Sequence, residues 1–315
     1  MRLQTIVRRL IALLPMMLLV ALMIFSITYL IPGDAAATIA GDGATAAEIG
    51  RIRNELGLDR PFFVQFFTWL GNVATGDLGV SLTTGRSVGD TIVSRGPATI
   101  SLGVAGLAVG VLVGTSLGVL AGTKIGSARD RFAVVGASVG VAMPNFWLGL
   151  LLVTIFAVNL GWLPATGYVG ITENPIEFLR HITLPALALG SASAAEICRQ
   201  TRASLGNVLE MDYMRTARMK GLPARVLVGK HALKNAASPV VTTVGLQATV
   251  LLGGTVIVER VFGIAGLGTT AIEAVSSRDI PIIQGIALLT TITAILVNLM
   301  VDMMQMYLNP KVRMS

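Results

Sequence analysis

Gly96 to Thr123 reads GPATISLGVAGLAVGVLVGTSLGVLAGT. The run has no charged residue, and glycine recurs at every fourth position through Gly106, Gly110, Gly114, Gly118 and Gly122. A helix needs about 20 apolar residues to cross a bilayer, and this run exceeds that length. Backbone amides in lipid must be paired within their own segment, so such a run is a helix unless the chain closes a barrel. Barrel strands alternate apolar and polar residues, and this run does not. Four residues is slightly more than one turn, so the five glycines form a slowly rotating bare stripe. Another helix backbone can approach closely along it. The stripe fits tight packing against another part of the chain or against another subunit.

The same signature recurs in Leu10–Ile31, Phe132–Thr172, Asn235–Val258 and Ile280–Val301, all uncharged. Of the 315 residues, 13% are charged and 53% hydrophobic, against roughly a quarter charged in a soluble domain. That balance excludes a large aqueous core. A sixth segment, His181 to Leu205, has only fourteen uncharged residues between His181 and Glu196. It is short for a span, but a crossing there puts the basic loops on one side. The spans predicted are 9–31, 98–123, 132–158, 181–203, 236–258 and 281–307. With the N-terminus inside, the inner segments hold 16 of the 24 basic residues, among them Arg2, Arg8, Arg9, Lys124, Arg129, Arg131, Lys311 and Arg313. Lys/Arg bias in short loops sets this orientation. The first apolar run is longer than the core of a secretory signal, so the first span is expected to stay uncleaved. The net charge of +7 suits basic inner loops facing anionic lipid, and no nucleic-acid partner is expected.

Several features point to sites. Thr45 and Glu48 fit a capping box, Gly57 a helix end and Pro61 a helix start. The aromatic cluster Phe62, Phe63, Phe66, Phe67 and Trp69 fits either a small core on the membrane interface or a docking platform. In VAMPNFWLG, Pro144 removes a backbone donor and predicts a kink beside Asn145. The kink suits a gate or a joint filled by neighbours. Acids inside a membrane are functional candidates: Glu196 and Asp302 are the acids nearest the bilayer interior, and they and Glu259 are candidates for the pathway or its gate. For Glu196, an ion pair with nearby Arg199 is the structural alternative.

Other chemistry is missing. ARVLVGKH has Ala224 and His231 where a phosphate loop needs glycine and a hydroxyl. Cys198 is the single cysteine, which rules out an intrachain disulfide. His181 and His231 have no partners at catalytic or metal spacing. No covalent chemistry, cofactor or metal is expected of this chain.

The segment DYMRTARMKGLPARVLVGKHALKNAASP, Asp212 to Pro239, concentrates positive charge. Lipid attraction explains the charge but not its local grammar. Asp212 suits an N-cap, Arg218 and Lys220 a last turn, Gly221 a left-handed stop and Pro223 a new helix start. Met214, Thr216, Ala217 and Met219 form a low-charge patch. The spacing predicts a short helix, a sharp stop, and a second helix entering the fifth span.

This segment resembles the EAA loop of the membrane subunits of binding-protein-dependent ABC importers. Thr216 and Ala217 fall where the family has small residues, and Gly221 matches its glycine. Arg215 replaces the acidic residue that names the loop. IPGDAA, ELGLDRPFFVQFFTWLGNVATGDLGVSL, PNFWLGLLLVTIFAVNLGWLPATG, GGTVIVERVFGIAGLG and RDIPIIQGIALL resemble, in order, the first permease of dipeptide, oligopeptide and nickel importers.

The resemblance implies an all-α multispanning membrane protein with the six transmembrane helices of the type I importer permease fold. Residues 1–31 would be the inner N-terminus and first span, 32–97 a helical extracytoplasmic insertion, 98–307 the permease core with the coupling loop at 204–239, and 308–315 an inner tail. It implies a bacterial plasma-membrane permease, not an enzyme, that forms half of a pathway for di- or oligopeptides. Nickel chelates and glutathione-like compounds are the alternatives within the family. Implied partners are a second permease in a heterodimer, two ATPase subunits that hold ATP and magnesium, and an extracytoplasmic binding protein. Asp212, Tyr213, Met214, Arg215, Thr216, Ala217, Arg218, Lys220 and Gly221 would form the helix that couples to the ATPases. The competing class is an ion-coupled carrier acting alone; Glu196 and Asp302 are a thin supply of charge for it, and no repeat is evident.

Overall fold

The computed structural model describes residues 15–26, 35–40, 43–55 and 57–308. The ends of the first predicted span, Arg2, Arg8, Arg9, Lys311 and Arg313 lie outside them. The helices are α1 Pro15–Ser26, α2 Ala35–Ala40, α3 Ala46–Glu55, α4 Phe62–Ala74, α5 Val88–Gly122, α6 Ala128–Ala142, α7 Asn145–Leu152, α8 Pro175–Leu209, α9 Asp212–Met219, α10 Ala224–Val226, α11 Leu233–Val261, α12 Leu267–Ser277 and α13 Ile280–Leu308. Two π-helical stretches interrupt the α geometry: Val153–Asn159 after α7, and Leu227–Ala232 between α10 and α11. No strand occurs among the described residues; an isolated bridge joins Val80 to Ser87.

Among the described residues, three stretches are long and apolar enough to cross a membrane: Val88–Gly122, Ala224–Val261 and Ile280–Met306. Helix α6 and the run Asn145–Asn159, α7 with the π-helical stretch after it, make a fourth if counted together, although they meet at 102°. The kink predicted at Pro144 is therefore a full break. Met143 ends α6 in extended backbone with ψ 122°, and Pro144 precedes α7 with ψ 136°. Proline disfavours α geometry in the residue before it and supplies no donor to the turn behind. Helix α8, with 35 residues, has the length of a span without the composition of one.

Two compact units divide the chain. One holds residues up to Gly96 with Thr270–Thr293. In it α4 lies on α1, with Phe25, Phe66 and Ala21 at the centre. The Phe25 ring meets Phe62 edge-on at 5.4 Å and Phe66 at 5.6 Å. Three of the five aromatics, Phe62, Phe66 and Trp69, are thus core; Phe63 and Phe67 face outward at 66% and 61% exposure. The predicted capping box forms before α3: the Thr45 amide donates to Glu48 Oε2 at 2.8 Å, and Thr45 Oγ1 accepts from the Glu48 amide at 3.3 Å. The Thr45 amide, and the Thr45 hydroxyl donating to the same carboxylate oxygen at 2.9 Å, favour the ionised acid, so the Glu48 carboxyl is held below the usual carboxylate range, first by the Thr45 backbone and then by its side chain.

The other unit holds Pro97–Thr269 with Ala294 onward, and α8 is its axis. Eighteen of the 35 residues of α8 are buried. The glycine stripe of α5 lies against it: Gly106 meets Leu189, Gly110 meets Ser193, Gly114 meets Ile197, Gly118 meets Thr201 and Gly122 meets Leu205. Both numbers rise together, so the helices run parallel, and every pair has nearly the same offset. A Cβ at Gly114 would sit 2.5 Å from the Ala194 carbonyl oxygen, and one at Gly118 2.7 Å from the Cys198 carbonyl oxygen. Gly190 reciprocates by fitting against the Gly106 carbonyl. Helix α6 adds Ala133, which packs with Ala121 and the buried Cys198. Across from α11, Ser193 Oγ donates to Gln247 Oε1 at 2.9 Å.

Gly118→Leu should lower stability by about 1–3 kcal/mol by overpacking the helix contact. A Cβ at Gly103, on the same helix, meets nothing within 4 Å, so Gly103→Ala should be neutral or stabilise by up to about 1 kcal/mol. Thermal unfolding of the purified protein in detergent checks both; equal effects would contradict the packing described.

Candidate functional site

Helix α8 ends at Leu209, and α9 begins at Asp212 after two connecting residues. So short a connection leaves α9 little freedom relative to α8. Met211 stands at the N-cap without a side-chain bond. Asp212, expected as the cap, is instead the first helical residue; its exposed carboxylate lies 3.6 Å from Arg215 Nη1. It still suits the positive end of the helix dipole.

One residue anchors the helix. Met214 is fully buried, packed with Leu205, Val208, Leu209, Leu227, Ala232 and Ala236. Ala217, one turn on, lies against the same cluster. Two polar ties add to this: Asn235 Nδ2 donates to the Tyr213 hydroxyl at 2.9 Å, and Arg218 Nη2 to the Leu209 carbonyl at 3.4 Å. The stop is a Schellman motif. The Gly221 amide donates to the Arg218 carbonyl at 2.9 Å and the Leu222 amide to the Ala217 carbonyl at 3.4 Å. Gly221 takes φ +75° to make it, a conformation that L side chains resist. Asp212, Arg215, Met219 and Lys220 are left exposed, Met219 at 90%. The site is a short, stopped helix, sealed on one face and presenting a basic face to the surroundings.

An ion pair between buried Asp130 and half-buried Arg202 braces the base of α8. Asp130 accepts from Arg202 Nε, from Arg202 Nη2 at 2.8 Å and from the Gly126 amide at 2.8 Å. Ser127 caps α6 by accepting from the Asp130 amide at 3.3 Å. Sequence reasoning passed over Asp130, although Ser127-x-x-Asp130 has the spacing of a capping motif.

The pathway candidates disperse. Asn145 opens α7 and is partly buried, and Pro144 before it is exposed. Glu196 holds Arg199 Nη2 at 2.5 Å, the structural alternative for that acid. Asp302 is partly buried on α13, in the stretch where Gln305 Nε2 donates to Thr242 Oγ1 at 2.7 Å. Glu259 is fully buried, accepting from Thr99 Oγ1 at 2.6 Å and from the Thr269 amide at 2.9 Å. Thr99 Oγ1 in turn accepts from the Leu267 amide at 2.8 Å. Both Gly266 and Gly268 press on the Glu259 carboxylate. The acid therefore caps α12 and fixes the turn before it. No group of three or more metal-ligating side chains occurs among the described residues.

The family model described as binding-protein-dependent transport system inner membrane component matches residues 114–314. Its companion for the N-terminal part matches residues 2–103. A glutathione transport system permease protein of Escherichia coli O6:H1 is 41% identical over 308 residues, covering 98% of each chain. That of Salmonella typhimurium is 42% identical over 308 residues, again covering 98% of each. Among solved structures, an inward-facing methionine ABC transporter aligns with a TM-score of 0.56 at 16% identity, covering 70% of this chain and 96% of that one. That likeness shows a shared fold.

Removing the Met214 side chain should cost about 2–5 kcal/mol, the range for deleting a buried methionine. Gly221→Ala should cost about 1–2 kcal/mol through its left-handed backbone. Hydrogen exchange of the 212–222 amides should rise in both variants, with α5 and α8 still protected. Unchanged exchange in Met214→Ala would contradict the anchoring.

Proposed function

We propose, on the premise that this chain belongs to the binding-protein-dependent transport system inner membrane components, that α9 is the contact through which separate ATPase subunits drive it. The chain is a permease subunit of a type I ABC importer in the bacterial plasma membrane. The finer reading is that it pairs with a second, similar permease, and that two ATPases bind inside while a binding protein delivers solute outside. The ATPases, rather than this chain, would hold ATP and magnesium. The cargo class is short peptides. The relatives named for glutathione, a modified tripeptide, support that class over nickel chelates.

The observation that carries the reading is the construction of α9. A lever must be stiff and must end sharply, or motion at its tip is lost in bending. Here Met214 holds the helix to the core, the Gly221 turn ends it, and a two-residue connection joins it to α8. Its exposed face offers Arg215, Met219 and Lys220, an arrangement suited to an acidic-rimmed apolar groove. Nucleotide-driven closure of the ATPases would move α9 and, through it, α8. Glu196, Glu259, Asp302 and the Pro144–Asn145 break remain the proposed pathway or gate positions.

Gly221→Asp should leave the protein in the membrane but weaken ATPase binding or uncouple hydrolysis from uptake. Reconstituted vesicles with binding protein and ATPases test this: ATP-driven uptake should fall by about tenfold or more while membrane content holds, the size of effect that one coupling contact of roughly 1.4 kcal/mol implies. Wild-type uptake by the variant would overturn the coupling role. Uptake by this chain alone, driven by an ion gradient, would overturn the importer mechanism itself.

A further inference from the structure

The unit formed by residues up to Gly96 and Thr270–Thr293 contains a cavity of about 730 Å³. Its base is a hairpin built for rigidity. The Val80–Ser87 bridge closes the hairpin, and buried Asp279 ties it down. That carboxylate accepts from Ser81 Oγ, from the Leu82 amide at 3.1 Å and from the Thr83 amide at 3.4 Å. Arg278, at φ +57°, makes the turn that presents Asp279. The walls are the first turns of α5 and the later turns of α12. The volume lies in the range of small-molecule sites, about 300–1,000 Å³.

The lining carries both signs: Arg86 and Arg95, Asp90 and Glu273. Among the described residues, none of these four side chains makes an ion pair or a side-chain hydrogen bond. Elsewhere this chain pairs neighbouring charges readily, as in Arg180–Glu177 at 2.9 Å. Two guanidinium groups and two carboxylates thus surround one cavity with their capacity unspent. An anion site would not need the acids, and a cation site would not need the arginines.

We propose that this cavity binds a zwitterionic solute of di- or tripeptide size. Arg86 and Arg95 take the carboxylate, since a guanidinium matches it with two parallel hydrogen bonds. Asp90 and Glu273 take the ammonium. The ligand class comes from the lining. The proposal rests on the importer reading only for the location, on the outer side where solute arrives.

The test uses the assembled transporter in nanodiscs, without its binding protein. Equilibrium binding is measured for trialanine, N-acetyl-trialanine and trialanine amide. Free trialanine should saturate, and each blocked form should bind about tenfold or more weakly, as loss of a charge-assisted contact implies. The double variant R86Q/R95Q should become indifferent to the amide, and D90N/E273Q to the acetyl group. All four side chains are exposed, so thermal unfolding should not change. Equal binding of free and blocked peptides, no saturable binding, or wild-type selectivity in both variants would each overturn the proposal. ATP-driven peptide uptake is measured in parallel with the binding protein present. Uptake without binding here removes the cavity alone; binding here without uptake removes the peptide-importer reading alone.

Discussion

The contact between the backbones of α5 and α8 is the interaction on which the helical core depends. In lipid, no hydrophobic drive brings two apolar helices together, so association rests on close packing and on hydrogen bonds between helices. Five glycines on α5 remove the side chains that would hold the axes apart, and Gly190 does the same from α8. Dispersion contacts are weak one by one, and their sum depends on the closeness of approach. The steady offset along the stripe gives those contacts one register. Helix α8 can then be lined with serine, threonine and alanine, because protein rather than lipid surrounds it.

That register extends past the membrane. Asp130 and Arg202 fix α6 to the C-terminal part of α8, and only two residues separate α8 from α9. A buried pair broken on one side leaves an uncompensated charge, so this brace resists partial loosening. Stripe, brace and short helix form one mechanical series. If α9 is the coupling contact proposed above, such a series would let force on a small external helix reach the membrane core without being spent in side-chain rearrangement.

Parts of this architecture were legible in the sequence for identifiable reasons. Runs facing lipid are composed for lipid, so α5, α11 and α13 could be read directly. Helix α8 could not: surrounded by protein, it uses polar and small residues, and only loop-charge parity suggested it. The stripe was visible as bare spacing, but its partner was not, since Leu189 to Leu205 has no matching glycine repeat. The stop at Gly221 was readable because its signals lie close together along the chain. Asp279 was not, since its partner Ser81 is 198 residues away. Glu259 showed only as an acid beside a span. Its partners, Thr99 and Thr269, only come together in the folded chain.

The π-helical stretch Leu227–Ala232 sets the rotational phase of α11. An α-helix turns each residue by about 100°, and a wider turn carries one more residue for nearly the same rise. The surplus residue rotates the start of α11 about its own axis relative to α10 without lengthening the connection noticeably. Which face of α11 turns toward α8 is therefore set by a count of residues in this stretch as well as by side-chain chemistry. Adding or removing one residue here would re-aim a whole span while leaving its composition untouched.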